Sequence, residues 1–174
     1  PEKQICAIDS RAAAGTMVLL IRRAQALMEA AGDDGDFDAL CQQLHRYQAT
    51  LRTCFTLENF DNLIKNGRMR PIVGTLLRSL GIHIIADATA EGTIHVADKA
   101  RGVGKTYRAI TALMKASKDC TDAEVVISHC ENLEGAMALK RQILADLPVK
   151  QVDLLSCRGL TSFYAMEKGL IVGY

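Results

Sequence analysis

The chain has 174 residues, a formal net charge of +1 and a hydrophobic fraction of 49%. This length and composition provide enough apolar side chains for the core of one large domain or two small ones. The near-zero net charge and an aromatic content of only 5% disfavour a nucleic-acid-binding protein, which needs a basic surface and rings on which bases can stack.

The cysteines and the hydropathy pattern indicate a protein of a reducing compartment. None of the six cysteines forms a CxxC pair, so we expect six free thiols and no zinc site. No apolar run approaches the roughly 18 residues that a membrane-spanning helix needs, and the first residues do not resemble a signal peptide. We therefore expect a soluble cytoplasmic protein without stable membrane insertion. Because the chain does not begin with Met, we also expect a part of a longer protein.

The first 52 residues predict one strand followed by two helices. Residues 4–8 have the composition of a short buried strand, and apolar residues at helical spacing predict helices over 17–28 and 37–51. Asp36 is suited to cap the second helix. A single strand cannot form a sheet, so this part requires neighbouring strands from elsewhere.

From residue 52 onward the pattern predicts a compact α/β domain, with a domain boundary near residues 50–53. A hairpin is expected around Glu91 and Gly92. Strands are predicted over 52–56, 82–86, 93–97, 124–128, 149–155 and 170–174, and helices over 57–65, 72–80, 105–118 and 133–147.

Two groups of cationic residues are candidates for an anion site. Residues 99–106, KARGVGKT, resemble the end of a phosphate-binding loop, but Lys99 stands where that loop needs a glycine, which favours a simple turn into a helix. The spacing leaves open whether the cations bind an anion or form a solvated face. They are Lys65, Arg68 and Arg70 around one turn, and Lys99, Arg101, Lys105 and Arg108 around another.

Nucleophilic and metal chemistry have weaker support. Cys130 follows His129, but adjacent residues of a strand point to opposite faces, and no orienting acid is evident. His83 and His95 alternate with apolar residues and are expected to face solvent. We therefore expect neither a catalytic residue nor a metal ligand.

The order of several segments resembles the DegV family of fatty-acid-binding proteins. Residues 55–69, FTLENFDNLIKNGRM, are similar to the family segment F-x-x-x-T-L-E-Y-L-K-x-G-G-R-I. A hairpin with Glu91-Gly92 at its tip, the K-x-R sequence at residues 99–101 and a strand running into His129 follow in the family's order. The resemblance covers nearly the whole chain.

This resemblance implies a binding protein without catalytic activity. DegV proteins of bacteria have an N-terminal α/β domain, then a domain of helices packed on a mostly antiparallel sheet. They bind a long-chain fatty acid and present its carboxylate to a separate fatty-acid kinase subunit. By the resemblance, residues 1–52 end the first domain and residues 53–174 form the lipid-binding domain. The expected partners are the fatty acid and the kinase catalytic subunit, with no cofactor.

The resemblance also implies site residues. Arg68 matches the arginine of G-G-R-I and Arg101 that of K-x-R, so both are expected near the headgroup or on the kinase-facing surface. Tyr164 stands where the family has a headgroup histidine, and a phenol can donate a hydrogen bond but cannot carry the charge of imidazolium. The hydroxyl residues that hold the carboxylate in the family precede Pro1. The expected acyl-chain pocket consists of Phe55, Ile72, Leu76, Leu80 and Ile84.

Two other functions stay open at this point. The substitution at Tyr164 is also compatible with an interaction or regulatory module of the DegV fold that no longer carries fatty acid and binds a partner through Arg68 and Arg101. An enzyme that uses Cys130 and His129 is the third hypothesis. Apolar surface on the first strand could drive dimerisation of this chain.

Overall fold

The structure is a computed structural model that describes residues 3–32, 35–69 and 81–174. Within these ranges the chain is a mixed α/β fold with one sheet, which confirms the expected class. The helices are α1 (Gly15–Ala31), α2 (Phe37–Thr50), α3 (Asp61–Lys65), α4 (Val103–Ser117), α5 (Leu133–Asp146) and α6 (Gly159–Ala165). The strands are β1 (Thr53–Leu57), β2 (Ile82–Ala88), β3 (Ile94–Arg101), β4 (Glu124–His129), β5 (Gln151–Ser156) and β6 (Leu170–Gly173).

The six strands are arranged in the order β3-β2-β1-β6-β4-β5. Among the described strands, β4 and β5 are parallel, because α5 crosses over between them, and the other pairs are antiparallel. The sheet is therefore mostly antiparallel, as the resemblance implied. β1 lies between β2 and β6, and all five of its residues are buried.

The two faces of the sheet support separate cores, because side chains alternate along each strand. On one face, Cys54 and Ile85 belong to a core that also includes Ile110 of α4 and Leu139 of α5. On the opposite face, Phe55 belongs to a second core with residues of α3 and α6. We call these the α4–α5 face and the α3–α6 face.

Helix α1 contacts β4 and β6. The approach is close because a Cβ atom added at Gly15 would lie 2.5 Å from the carbonyl oxygen of Val126. At the start of α2, Asp36 accepts hydrogen bonds from the backbone of Asp38 and Ala39, which confirms its predicted role as a cap.

Several predicted elements differ from the observed ones. The strand predicted over 4–8 is wrong for this structure, because residues 3–10 pair with no strand of the described chain and have no regular structure. The helix predicted from residue 57 begins only at Asp61, since β1 extends to Leu57. The strand predicted over 93–97 continues to Arg101, and α6 was not predicted.

Some expectations fall outside what the structure describes. The helix predicted over 72–80 lies outside the described residues. The division into residues 1–52 and 53–174 stays a prediction. None of the described helices has both the length and the apolar character needed to cross a bilayer.

Candidate functional site

A cavity of about 1110 Å³ lies on the α3–α6 face of the sheet. Its floor is formed by apolar residues of the sheet, and residues of the α3 and α6 regions contribute walls. The floor includes Phe55, Leu57, Ile94, Val96 and Ile171 of the strands, and the walls include Leu63, Met69 and Ala165.

The apolar floor follows from the alternation along the strands. Phe55 lies opposite Ile171 of β6 in the register, and Phe55 and Ile171 are each only 9% exposed. Ile94 and Val96 of β3 pair with alanines of β2, whose small side chains leave room above the sheet. This combination of large apolar side chains at the edges and alanines between them produces an open trough that is suited to an apolar ligand.

One end of the cavity carries an arginine and a tyrosine. Arg68, just after α3, and Tyr164 of α6 both line it. The two helices are joined here by a hydrogen bond of 2.7 Å from Asn62 Nδ2 to the carbonyl oxygen of Phe163. The ring of Phe163 packs edge-on against Tyr164, with the ring centres 5.1 Å apart. A guanidinium and a phenol at the end of an apolar trough can both donate hydrogen bonds to an anionic group.

The other end is closed by the segment before α1 and by the β2–β3 hairpin. Arg11, Ala12 and Ala13 line it together with Gly92 and Thr93. Arg11 Nη1 donates a hydrogen bond of 3.0 Å to the carbonyl oxygen of Ala90 at the hairpin tip. This contact fixes the N-terminal segment against the hairpin.

Sequence reasoning missed this closed end. Near this end, the hydroxyl groups of Thr16 in α1 and Thr53 in β1 share a hydrogen bond of 2.7 Å, although the two residues are 37 positions apart in the chain. The contact of Arg11 with Ala90 spans 79 positions, and no local pattern indicates it. Only the glycine-containing turn of the predicted hairpin gave a partial signal.

The predicted site residues are distributed unevenly around the cavity. Arg68, Tyr164 and Phe55 line it. Ile84 is fully buried in the core of the same face and is not among the lining residues. Arg101 is exposed at the end of edge strand β3, paired with Ile82. Three expected pocket residues, Ile72, Leu76 and Leu80, lie outside the described residues.

The alternative chemical candidates have little support from the geometry. The pKa of the Cys130 thiol is raised by burial and by the nearby carboxylates of Glu131 and Glu167, which disfavours the thiolate that a nucleophile needs. His129 is 8% exposed, and its Nδ1 accepts a hydrogen bond of 3.4 Å from the backbone of Asn132.

The turn that resembles a phosphate loop leads directly into a helix. Gly102 has a φ of 84° and precedes α4, a conformation that favours glycine. The hydroxyl of Thr106 donates a hydrogen bond of 3.0 Å to the carbonyl oxygen of Gly102. The residues of this turn therefore form the start of the helix, as the sequence favoured.

Comparison with known sequences identifies the family of this chain. A family described as "Uncharacterised protein, DegV family" matches residues 1–169, and the chain belongs to the DegV family. A DegV domain-containing protein of Streptococcus gordonii is 31% identical over 175 residues, which is all of this chain and 60% of the relative. A second, from Streptococcus pneumoniae, is 32% identical over 176 residues. The chain therefore spans about 60% of the length of these relatives.

Solved structures with the same fold include proteins with bound lipid. The Fatty Acid Kinase (Fak) B3 protein of Streptococcus pneumoniae, loaded with linoleic acid, is 31% identical with a TM-score of 0.89, covering 98% of this chain and 59% of that one. A DegV family protein of Eubacterium eligens loaded with heptadecanoic acid is 26% identical with a TM-score of 0.88, covering 95% and 59%. A Ruminococcus gnavus relative, refined with vaccenic acid, is 29% identical with a TM-score of 0.88, covering 99% and 61%.

Proposed function

We propose that this chain binds a long-chain fatty acid in the large cavity, with the acyl tail on the apolar floor and the carboxylate near Arg68 and Tyr164. The observation that carries the proposal is the cavity of about 1110 Å³, which is apolar along the sheet and has Arg68 beside the phenol of Tyr164 at one end. The arginine at the other end, Arg11, already donates a hydrogen bond to the carbonyl oxygen of Ala90. The fatty acids bound by its structural relatives support the same ligand class.

In such a complex, burial of the acyl tail contributes more to the binding free energy than contacts of the carboxylate. Each buried methylene contributes roughly 0.8 kcal/mol, so a C16 or C18 tail supplies most of the binding free energy before the cost of association is subtracted. The polar end contributes less, because Arg68 is exposed and its attraction to a carboxylate is weakened by water. Its role is to orient the ligand.

The chain acts as a non-catalytic carrier that presents the carboxylate to a separate fatty-acid kinase subunit. Support comes from the relative named as a fatty acid kinase B protein. Arg101 is exposed on the edge strand without lining the cavity, which suits contact with a partner protein. Arg68 lies at the cavity and suits contact with the ligand.

A cavity-filling variant tests the lipid-binding proposal. Ala88 lines the cavity at its closed end, and Ala88→Phe places a ring in the space required by the tail. Ala112→Phe is the matched control because Ala112 is exposed on α4, which packs on the opposite face. Calorimetric titration with oleate should show at least roughly tenfold weaker binding for Ala88→Phe and unchanged binding for Ala112→Phe, given the methylenes displaced. Equal affinity for both variants contradicts the proposed location.

The kinase proposal needs a different variant. Arg101→Ala should leave oleate binding unchanged and slow acyl phosphate formation when a bacterial fatty-acid kinase subunit and ATP are added. Wild-type acyl phosphate formation with Arg101→Ala would exclude this arginine from the partner surface. Absence of acyl phosphate with wild-type chain that does bind oleate would contradict the carrier role and leave lipid binding standing.

A module that no longer carries lipid is the second candidate, and Tyr164 at the polar end is the observation that favours it. The phenol lacks the positive charge of the imidazolium implied by the resemblance. Tyr164→His distinguishes the two functions. Oleate binding that appears only in the variant favours the interaction module, whereas binding by the wild type favours the carrier.

A further inference from the structure

Two cysteines lie side by side at the ends of β4 and β5. In this parallel pair of strands the last residues in register are His129 and Ser156. The backbone of Cys157 donates a hydrogen bond of 2.7 Å to the carbonyl oxygen of His129, so the ladder continues by one residue beyond the two strands. This continuation places Cys130 directly opposite Cys157.

The side chains of the two cysteines point to the same face of the sheet. Both pack against the core of the α3–α6 face, whereas Val125 and Val152, an odd number of positions earlier, belong to the core of the other face. Neighbouring strands lie about 4.8 Å apart. A disulfide needs Cα atoms roughly 4.4–6.8 Å apart, so the strand spacing suits a bond between the two thiols.

Backbone hydrogen bonds hold Cys130 from its other side as well. Its N–H donates a hydrogen bond of 3.0 Å to the carbonyl oxygen of Gly169, and its carbonyl oxygen accepts one of 2.9 Å from the backbone of Lys168. The Cys130 Sγ atom lies 4.0 Å from the carbonyl oxygen of Ser162 in α6. The two thiols are therefore fixed next to each other and beside the helix that carries Tyr164.

Both cysteines are free and half-buried, which affects how they react. Burial, and next the neighbouring thiol of Cys130, raise the pKa of Cys157 to about 11. A thiol with a raised pKa attacks slowly near pH 7, but it is also a poor leaving group, so a disulfide that it has formed resists reduction. The expected chemistry is a slow change under sustained oxidation and not rapid catalysis.

We propose that Cys130 and Cys157 are a redox-sensitive pair that forms a reversible disulfide by exchange with a small disulfide such as oxidised glutathione. The thiolate of one cysteine attacks a sulfur of the small disulfide, breaks its S–S bond and displaces one glutathione. The second cysteine attacks the protein sulfur of this mixed disulfide and displaces the other glutathione. The protein sulfurs are oxidised, the small disulfide is reduced, and the two protein protons leave on the two released thiols. Such bonds are transient redox sensors when they occur in reducing compartments.

The bond fastens one edge of the sheet. Among the described strands β5 pairs with β4 alone, and the chain passes from Cys157 into α6 within two residues. A covalent link to β4 therefore fixes both the end of β5 and the start of α6. The pair does not depend on the proposed fatty-acid binding, because neither cysteine lines the described part of that cavity.

Peptide mapping tests the bond directly. The purified chain is equilibrated in buffers of oxidised and reduced glutathione, quenched in acid, alkylated, and digested with trypsin and a glutamate-specific protease. These enzymes release residues 125–131, which contain Cys130 as their one cysteine, and residues 151–158, which contain Cys157 as theirs. We expect the two peptides to be joined by a disulfide that dithiothreitol cleaves. Recovery of both peptides only as alkylated thiols or as separate glutathione adducts, at every buffer ratio, overturns the proposal.

Variants that lack one partner test the second step. Cys130→Ala and Cys157→Ala each keep a single thiol at this position, so a glutathione adduct that the wild type resolves should accumulate in the variant that keeps the attacking thiol. Cys120→Ala is the matched control, because Cys120 is buried in the core of the α4–α5 face and its loss should leave the Cys130–Cys157 bond intact. A wild type that accumulates as much adduct on these two peptides as the variants refutes the pair.

Thermal unfolding tests the fastening of β5. The oxidised chain should have a Tm about 3 °C or more above that of the reduced chain, because the bond closes the loop between residues 130 and 157 and constrains the unfolded state. Cys120→Ala should show the same difference between its oxidised and reduced forms, and Cys157→Ala should show none. An oxidised wild type that unfolds at the temperature of the reduced protein contradicts the fastening of this edge.

Discussion

Arg68 is the residue to which the proposal assigns the orientation of a bound fatty acid. It follows Gly67, whose φ of 67° ends the α3 turn and is favourable for glycine. This local feature could be predicted from the Asn-Gly sequence. Its place in the same cavity lining as Tyr164 could not, because the two residues are far apart in the chain and come to one cavity only after α3 and α6 pack together.

A charge-removing substitution tests that orientation. Arg68→Gln should weaken oleate binding about fivefold, equivalent to the roughly 1 kcal/mol that a partly exposed charged hydrogen bond contributes. The affinity for oleyl alcohol should stay unchanged, because that ligand has the same tail and no carboxylate. Competition for one fluorescent fatty acid measures both ligands. An equal loss of affinity for oleate and oleyl alcohol would indicate that Arg68 contacts the tail and not the headgroup.

Tyr174 connects burial with alkaline stability. It is 2% exposed, and its hydroxyl forms a hydrogen bond of 2.7 Å with Ser117. Burial is the main reason that the pKa of Tyr174 is raised, and burial also raises the pKa of Cys54. Burial in the folded protein favours the neutral form of both groups. Their contribution to the free energy of unfolding is therefore fully present below their ordinary pKa values and is lost as the pH rises above those values.

The free energy of unfolding should therefore fall as the pH rises above about 9, near the ordinary range of thiols and phenols. Urea unfolding between pH 7 and pH 11 measures this loss. Tyr174→Phe should be about 1 kcal/mol less stable at pH 7, because it lacks the hydrogen bond, and should lose less stability at high pH. A variant with the same pH slope as the wild type would assign the alkaline loss to other groups.

At the scale of elements, helix α1 is fixed on the sheet by two glycines. Gly15 allows the helix to approach Val126, and a Cβ at Gly173 would collide with the backbone of Thr16. Helical periodicity predicted α1, but the requirement for glycine arises from β4 and β6, which follow much later in the chain. In the same way, residues 4–8 have strand-like composition but pair with no strand in the part of the chain that the structure describes.

Two glycine-to-alanine variants measure this close packing. Gly15→Ala should lower the free energy of unfolding by about 1–3 kcal/mol, because the added methyl group forces α1 away from the sheet. Gly104→Ala, in α4, meets nothing within 4 Å and should raise it by about 0.5–1 kcal/mol through helix propensity. Urea unfolding of both variants checks the signs. A Gly15→Ala protein as stable as the wild type would show that α1 can be displaced without cost.

At the scale of the whole molecule, periodicity predicted the α/β class, and only the resemblance implied the mostly antiparallel sheet. The resemblance also implied an apolar pocket, but neither source predicted which residues enclose it, since that depends on how α3, α6, the hairpin tip and the segment before α1 lie on one face of the sheet. Of the expected pocket residues, Phe55 lines this cavity and Ile84 lies in the core of the same face. Local patterns identify apolar residues, but they cannot distinguish a cavity wall from a packed core.

Native mass spectrometry of the purified chain after incubation with oleate tests lipid binding most directly, with organic extraction to identify the ligand. The wild type and Ala112→Phe should each retain one oleate per chain, and Ala88→Phe should retain much less. A wild-type chain without lipid, or an Ala88→Phe chain that retains as much oleate as the wild type, would contradict fatty-acid binding in this cavity.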